Sequence, residues 1–574
     1  MTEEYNLIHE RVDDIPLLIG LAQQLRLPEI MDKHMGKHGH HQGLSNGWLG
    51  TVWLAYILSE GDHRKYSVED WAEKHKHTLE QLAGQPIRQV EFSDDRLGIV
   101  LRRLSPPDTW EALEADLWSS TVAVYEIQMT GVRLDSTTTC GYHTATDDGM
   151  MQYGYSKDHR PDLPQLKLMA AAAEPSGYLL TSDVLAGDKA DDPLYLPMVA
   201  RVRKMVSQTG LLYTGDSKMS ALEIRADIAV HKDYYLMPLP LKGKAKEHIG
   251  AWINAVVDGH QCAQLIWDQE RLLGGGYEFE RNLSAVAAGQ GVEWIERVQV
   301  VRSLSLAKHE GEKLEQRLRK AEAELLSLTP EPGRGKRQHG DEASIQSAVT
   351  KILEHHKVTG LLHITWEREE QRITRYVGRG RGGPNRPKKT EVHVRYVITG
   401  VQRNHVAIQN HKHRLGWRVY GTNLPVERMS LAQSVIHYRG GWSLERDFHV
   451  VKDRPLGIRP LYVRRDDQIT GLTHLLTLAL RLLTLIETQV RRNLAQTGEQ
   501  MSGLYEGQPS RKATGPTGVR LLKAFARGEV TLTRIQMGEQ HSWHITPLSS
   551  LQMQILSYLK LAPSLYKSLI ENSS

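Results

Sequence analysis

The chain has 574 residues, 40% of them hydrophobic and 24% charged, with a formal net charge of +4. That length suits several domains, and that mix suits buried cores, which excludes wholesale disorder. Two cysteines, Cys140 and Cys262, exclude a disulfide framework and a four-thiolate zinc site, and they fit a reducing compartment.

The first residues, MTEEYNLIHE, are acidic and polar and lack the basic start and apolar stretch of a secretory signal. Residues 1–118 are predicted to form an all-helical N-terminal domain. Apolar residues recur at helical spacing over Ile15–Ile30 and Trp48–Leu58, and Ser67, Glu69 and Trp71 mark a further helix start. The run DKHMGKHGHHQG holds His34, His38, His40 and His41 with Asp32 as its one acid. Glycines interrupt it, so a basic surface loop is favoured over a metal site.

Residues 119–240 predict a mixed α/β sheet. Strands are expected at Val132–Leu134, Leu166–Ala173 and Gly177–Leu185, then a helix at Pro193–Val206, then short strands at Leu211–Thr214 and Tyr234–Met237. Residues 241–416 read as a β-rich insertion with β segments at Ala263–Trp267, Trp294–Val301, Gly360–Trp366 and Val392–Ile398. Helices at Leu306–Leu328 and Ala343–His356 interrupt them. Within this insertion, Gln371–Thr390 holds Arg372, Arg375, Arg379, Arg381, Arg386, Lys388 and Lys389 and no acid. A tract of that kind suits phosphate contact, and a solvated loop is the plainer reading.

Residues 417–500 return to the sheet with a strand at Trp417–Tyr420 and continue as helix. The apolar run ITGLTHLLTLALRLLTLI contains His474 and Arg481, so it predicts a core helix and no membrane span. Residues 501–574 form a loop-rich tail with helix at Leu548–Leu559.

Two aspartates stand at predicted strand ends: Asp135 in RLDSTT and Asp216 in YTGDSKMSA. A carboxylate at a sheet edge needs a cation or hydrogen-bond donors; alone, each is more simply a turn or cap. A third acid lies in SVIHYRGGWSLERDFHVVKDRPL, where Tyr438, Glu445 and Lys452 recur at seven-residue intervals. One helix through this segment would align them on one stripe, with Leu444, Phe448 and Val451 on an adjacent apolar face.

These segments resemble DDE transposases of bacterial insertion sequences. The similarity is to the IS-four superfamily, with its Tyr-x2-Arg-x3-Glu-x6-Lys signature, in the branch with an extra N-terminal domain and a long central insertion. It covers about residues 120–490 and includes WRVYGTNLP and GIRPLYVRRDDQITG on either side of the glutamate segment. The family's arginine position falls on Gly441, so Arg439 or Arg446 would have to supply that cation.

The resemblance implies a ribonuclease-H-like core in which Asp135, Asp216 and Glu445 hold two Mg²⁺ ions, with Mn²⁺ as a substitute, about 4 Å apart. It implies DNA strand cleavage at terminal inverted repeats and transfer into target DNA by a homodimer. It further implies a place in the cytoplasm at the nucleoid, away from membranes. Tyr438, Lys452, Arg439 and Arg446 would meet DNA phosphates. Trp417 would stack on a flipped base, unless it is a core residue, the slightly favoured alternative. The rival readings are a metal-dependent nuclease without strand transfer and an inactive DNA-binding relic.

Overall fold

The computed structural model describes residues 5–36, 42–88, 90–240, 245–379, 383, 385, 387–526, 528–537 and 540–571. His38, His40, His41, Arg381 and Arg386 therefore lie outside the described residues. His34 lies within them and pairs with Asp116 at 2.7 Å.

Among the described residues, fourteen strands form three sheets. They are β1 (Tyr5–Arg11), β2 (Gly131–Cys140), β3 (Gln165–Glu174), β4 (Leu179–Ala186), β5 (Leu212–Thr214), β6 (Tyr234–Pro238), β7 (Gln264–Asp268), β8 (Arg271–Ala287), β9 (Gln290–Ser303), β10 (Leu362–Tyr376), β11 (Lys388–Arg403), β12 (Trp417–Thr422), β13 (Thr531–Met537) and β14 (Gln540–Ile545). The largest sheet has the order β4-β3-β2-β5-β6-β12-β9-β8-β7. Strands β2, β5 and β6 are parallel, and their neighbours are antiparallel. The expected mixed α/β sheet is thus present and larger than foreseen, because β7–β9 of the insertion extend it. Strand β8 was not predicted. It carries Gly274–Gly276 near its start and alternates half-buried and exposed residues over Phe279–Val286, a weak apolar signal.

The helices that position the site are α1 (Pro107–Tyr125), α2 (Tyr195–Val206), α3 (Leu304–Ser327), α4 (Glu342–His355), α5 (Leu431–Arg439), α6 (Trp442–Lys452) and α7 (Asp466–Thr497). Strand β3, QLKLMAAAAE, is buried along nearly its whole length, as a strand covered on both faces must be. Helix α7 is long and apolar enough to cross a membrane, yet 94% of its most apolar window is buried inside the protein. Its Arg481 is buried against Glu114 of α1 and donates to the carbonyls of Leu179 (3.0 Å) and Leu180 (3.2 Å). Glu114 also accepts from Thr181 Oγ1 (2.6 Å) and the Ser182 amide (3.0 Å). A buried ion pair is tolerable only when its remaining valences are satisfied in this way.

The N-terminal region departs from the all-helical expectation. Strand β1 pairs with β13 of the tail, Tyr5 opposite Met537 and Arg11 opposite Thr531. One continuous core runs from Val12 through the N-terminal helices, the β2–β6 half of the sheet and α7 to Leu569. The α3, α4, β10 and β11 segments have a core of their own, including Leu314, Leu318, Leu325, Ile345, Val349 and Leu362.

Candidate active site

The parallel pairing of β2 with β5 sets Gly131 opposite Leu212 and Arg133 opposite Thr214. Asp135 stands two residues further along β2, in mid-strand opposite Ala170 and not at the predicted strand end, because β2 runs on to Cys140; Asp216 stands two residues beyond Thr214, where β5 has ended, so this pairing brings both carboxylates to the place where β5 leaves β2. Asp216 follows β5 through Gly215 and accepts from the Lys218 amide (2.8 Å) and the Tyr195 hydroxyl (2.7 Å). Asp135 accepts from the Ser136 amide at 2.7 Å. Burial, with the Asp216 charge adding to it, holds the Asp135 carboxyl above its ordinary range despite Lys157.

Lys157 was not foreseen. It lies in the polar loop between β2 and β3, where no periodicity marks it. Its Nζ stands 3.5 Å from Asp135 Oδ1 and also donates to the carbonyl and hydroxyl of Ser136. Ser136 in turn donates to Asp191 at 3.0 Å. Two adjacent hard-oxygen acids, one of them beside a cationic side chain and resisting ionisation, form a donor set suited to a divalent ion.

The predicted single helix bearing Tyr438, Glu445 and Lys452 is broken. Helix α5 ends at Arg439 and α6 starts at Trp442, with Gly440 and Gly441 between them. Glycine is a poor residue for a helix interior, and two in succession end this one. The residues packed against the break were also missed. Arg133 donates to Glu174 Oε1 (2.6 Å) and to the His437 carbonyl (3.0 Å). His437 Nε2 lies 3.0 Å from Glu174 Oε2 and 3.1 Å from Thr214 Oγ1. A side chain on Gly441 would put its Cβ 2.6 Å from Arg133 Nη1. The space beside Gly441 is thus filled by an arginine from β2.

Glu445 is exposed on α6. Among the described residues, no three His, Cys, Asp or Glu side chains are gathered as one metal centre. The structure therefore brings Asp135 and Asp216 together and leaves Glu445 outside their cluster.

The residues expected at DNA divide. Tyr438 is half-buried, its ring 5.0 Å from that of Tyr420. Burial, then the Tyr420 and Asp216 charges, push its hydroxyl pKa up. Lys452 is not on an open stripe as expected: it is buried and donates to Asp158 at 2.8 Å, with Arg459 also 3.4 Å from that carboxylate. Asp158 adjoins Lys157, so one loop touches both Asp135 and the Glu445 helix. Neither proposed substitute for the missing arginine stands at Gly441. Arg439 donates to Ser303 (3.1 Å) and Ser305 (2.7 Å), and Arg446 pairs with Glu487 (2.5 Å) and Asp447 (3.3 Å). Trp417 is a core residue, packed with Val298, Val300 and Val419, its indole donating to the His413 carbonyl at 3.0 Å.

A family model described as transposase DDE domain matches residues 127–482, a span that contains Asp135, Asp216 and Glu445. No curated protein matches the chain. Among solved structures, it is similar to a piggyBac transposase in a synaptic complex with hairpin DNA. That likeness is at 8% identity and a TM-score of 0.34, over 99% of this chain and 87% of the other.

Proposed function

The chain belongs to the DDE transposase family, and from that premise we propose that it cleaves DNA at the terminal inverted repeats of its element and joins the freed strands to target DNA. The observation that carries this reading is the registry of β2 with β5, which sets Asp135 and Asp216 side by side. The order β4-β3-β2-β5-β6, with β2, β5 and β6 parallel, supports a ribonuclease-H-like reading of that half of the sheet.

In this proposal Asp135 and Asp216 would hold divalent ions, Mg²⁺ or Mn²⁺, and Glu445 would complete the site. When bound, such ions supply activation of a water or 3′-hydroxyl and stabilise the leaving oxygen. The Tyr195 hydroxyl and the Lys218 amide orient Asp216. Lys157 balances the Asp135 charge before DNA arrives and meets a phosphate afterwards. Tyr438, whose raised pKa keeps its hydroxyl protonated, donates to a phosphate oxygen. Lys452 holds the Asp158 loop against α6, a positioning part in place of the direct DNA contact first expected. The active complex is a homodimer with paired DNA ends.

The test is nicking of duplexes that carry the inverted repeats flanking the reading frame, with Mg²⁺ or Mn²⁺. Divalent-dependent cuts at the repeat boundary and joined strand-transfer products are expected. Cuts without joining would reduce the protein to a nuclease. Binding without cuts would favour the relic reading, which draws on the separate standing of Glu445.

A further inference from the structure

Among the described residues, strands β10 and β11 pair only with each other. Their foot is anchored on α3 and α4 through Leu314, Leu318, Ile345 and Leu362. Beyond the pair Trp366–Ile398, the register continues to Tyr376–Lys388. At ~3.4 Å per residue this is a projection of roughly 30 Å. Charge is graded along it. Near the foot, Arg368 pairs with Glu370 (2.6 Å), and Arg395 pairs with Glu369 (2.7 Å) and Glu331 (3.3 Å). Further out, Arg372, Arg375, Lys388 and Lys389 face a single acid, Glu391, which is 3.1 Å from Lys389.

Strand alternation divides these cations between both faces. Arg372 and Lys388 share one face with Thr374 and Thr390, whose hydroxyls meet at 3.0 Å. Arg375 and Lys389 are opposite one another on the other face, with Gln371 and His393. The side chains here are exposed, including Tyr376 at 44% and Val392 at 51%.

We propose that the outer half of this ribbon is an arm that lies in the major groove of duplex DNA. The major groove, about 12 Å wide, admits a two-stranded ribbon. A ribbon with cations on both faces meets both phosphate walls at once. A second copy of the same arm is disfavoured as occupant, because like charges oppose the contact. The inference rests on the DNA-transposition reading and adds to it the surface and the mode of engagement.

The test uses the full chain with Arg372→Gln, Arg375→Gln, Lys388→Gln and Lys389→Gln combined, all at exposed positions where folding is undisturbed. Binding is measured on a labelled 30-base-pair duplex of arbitrary sequence and on a single strand of equal length, across a salt series. Duplex affinity is expected to fall at least ~10-fold and the log–log salt slope to become shallower by about 3, as for the loss of several phosphate contacts. Single-strand binding should change much less. Unaltered duplex affinity and slope would overturn the arm. So would an equal loss on single strands, which removes the groove, or a loss of self-association with DNA affinity intact, which makes the ribbon an interface between copies. If wild type fails to nick any repeat duplex while the slope change holds, the transposase chemistry is refuted and the arm stands.

Discussion

Asp135 and Asp216 are fixed by strand registry and by their donors, Ser136, Lys218 and Tyr195. Glu445 instead rides an eleven-residue helix that begins after two glycines and presents its carboxylate to solvent. The difference has a physical reason. Three carboxylates in one place repel unless cations separate them. In the proposed mechanism two are held with Lys157 nearby, and the third would join them only with ions bound.

The sharpest way to break that contrast is to neutralise a fixed acid. Asp135→Asn should cut single-turnover cleavage by at least ~10³-fold while duplex affinity stays within about 2-fold, and adding Asp216→Asn should cost little more, since the two act as one unit. Retained cleavage in either variant would remove the strand-borne pair from the chemistry. Next in size is the loop that spans both regions. Lys452→Met leaves Asp158 buried with Arg459 alone, and denaturant unfolding should show a loss of about 3 kcal/mol. Unchanged stability would mean that the loop does not tie α6 down.

The helix break comes third. Gly441→Ala drives a methyl into the Arg133 guanidinium and should slow cleavage by ~10–100-fold through misplacement of α6, with DNA affinity kept. Full activity would show that the helix break plays no part in delivering Glu445. The smallest effect is on pH dependence. Because the Asp135 carboxyl titrates above its usual 3.8 in the fold, the folded state binds more protons than the unfolded chain just above that value. Metal-free stability should therefore fall as pH rises through this window. Asp135→Asn should flatten that slope, and saturating Mg²⁺ should raise stability at neutral pH. An Asp135→Asn slope identical to wild type would deny the carboxyl its strained setting.

The fixed region was the more legible in sequence. Apolar runs around Asp135 and Asp216 mark strands, although the polar run Ser136–Thr139 hid that β2 continues to Cys140 and holds Asp135 in mid-strand. The glutamate region was less so. Seven-residue spacing suggested one helix through Tyr438, Glu445 and Lys452, and only packing shows that Gly440 and Gly441 divide it around Arg133. Lys157 and Asp158 were invisible because a polar loop has no period. Arg133 was hidden inside a strand whose apolar neighbours set its reading. The three-stranded β1-β13-β14 sheet was missed because its pairing joins opposite ends of the chain, which no local window can detect.

That stitching of the two termini has a consequence for damaged copies of the gene. A product cut short before Thr531 would lose the partner of β1 and the closing part of the core that reaches Leu569. It would unfold from its beginning as well as its end.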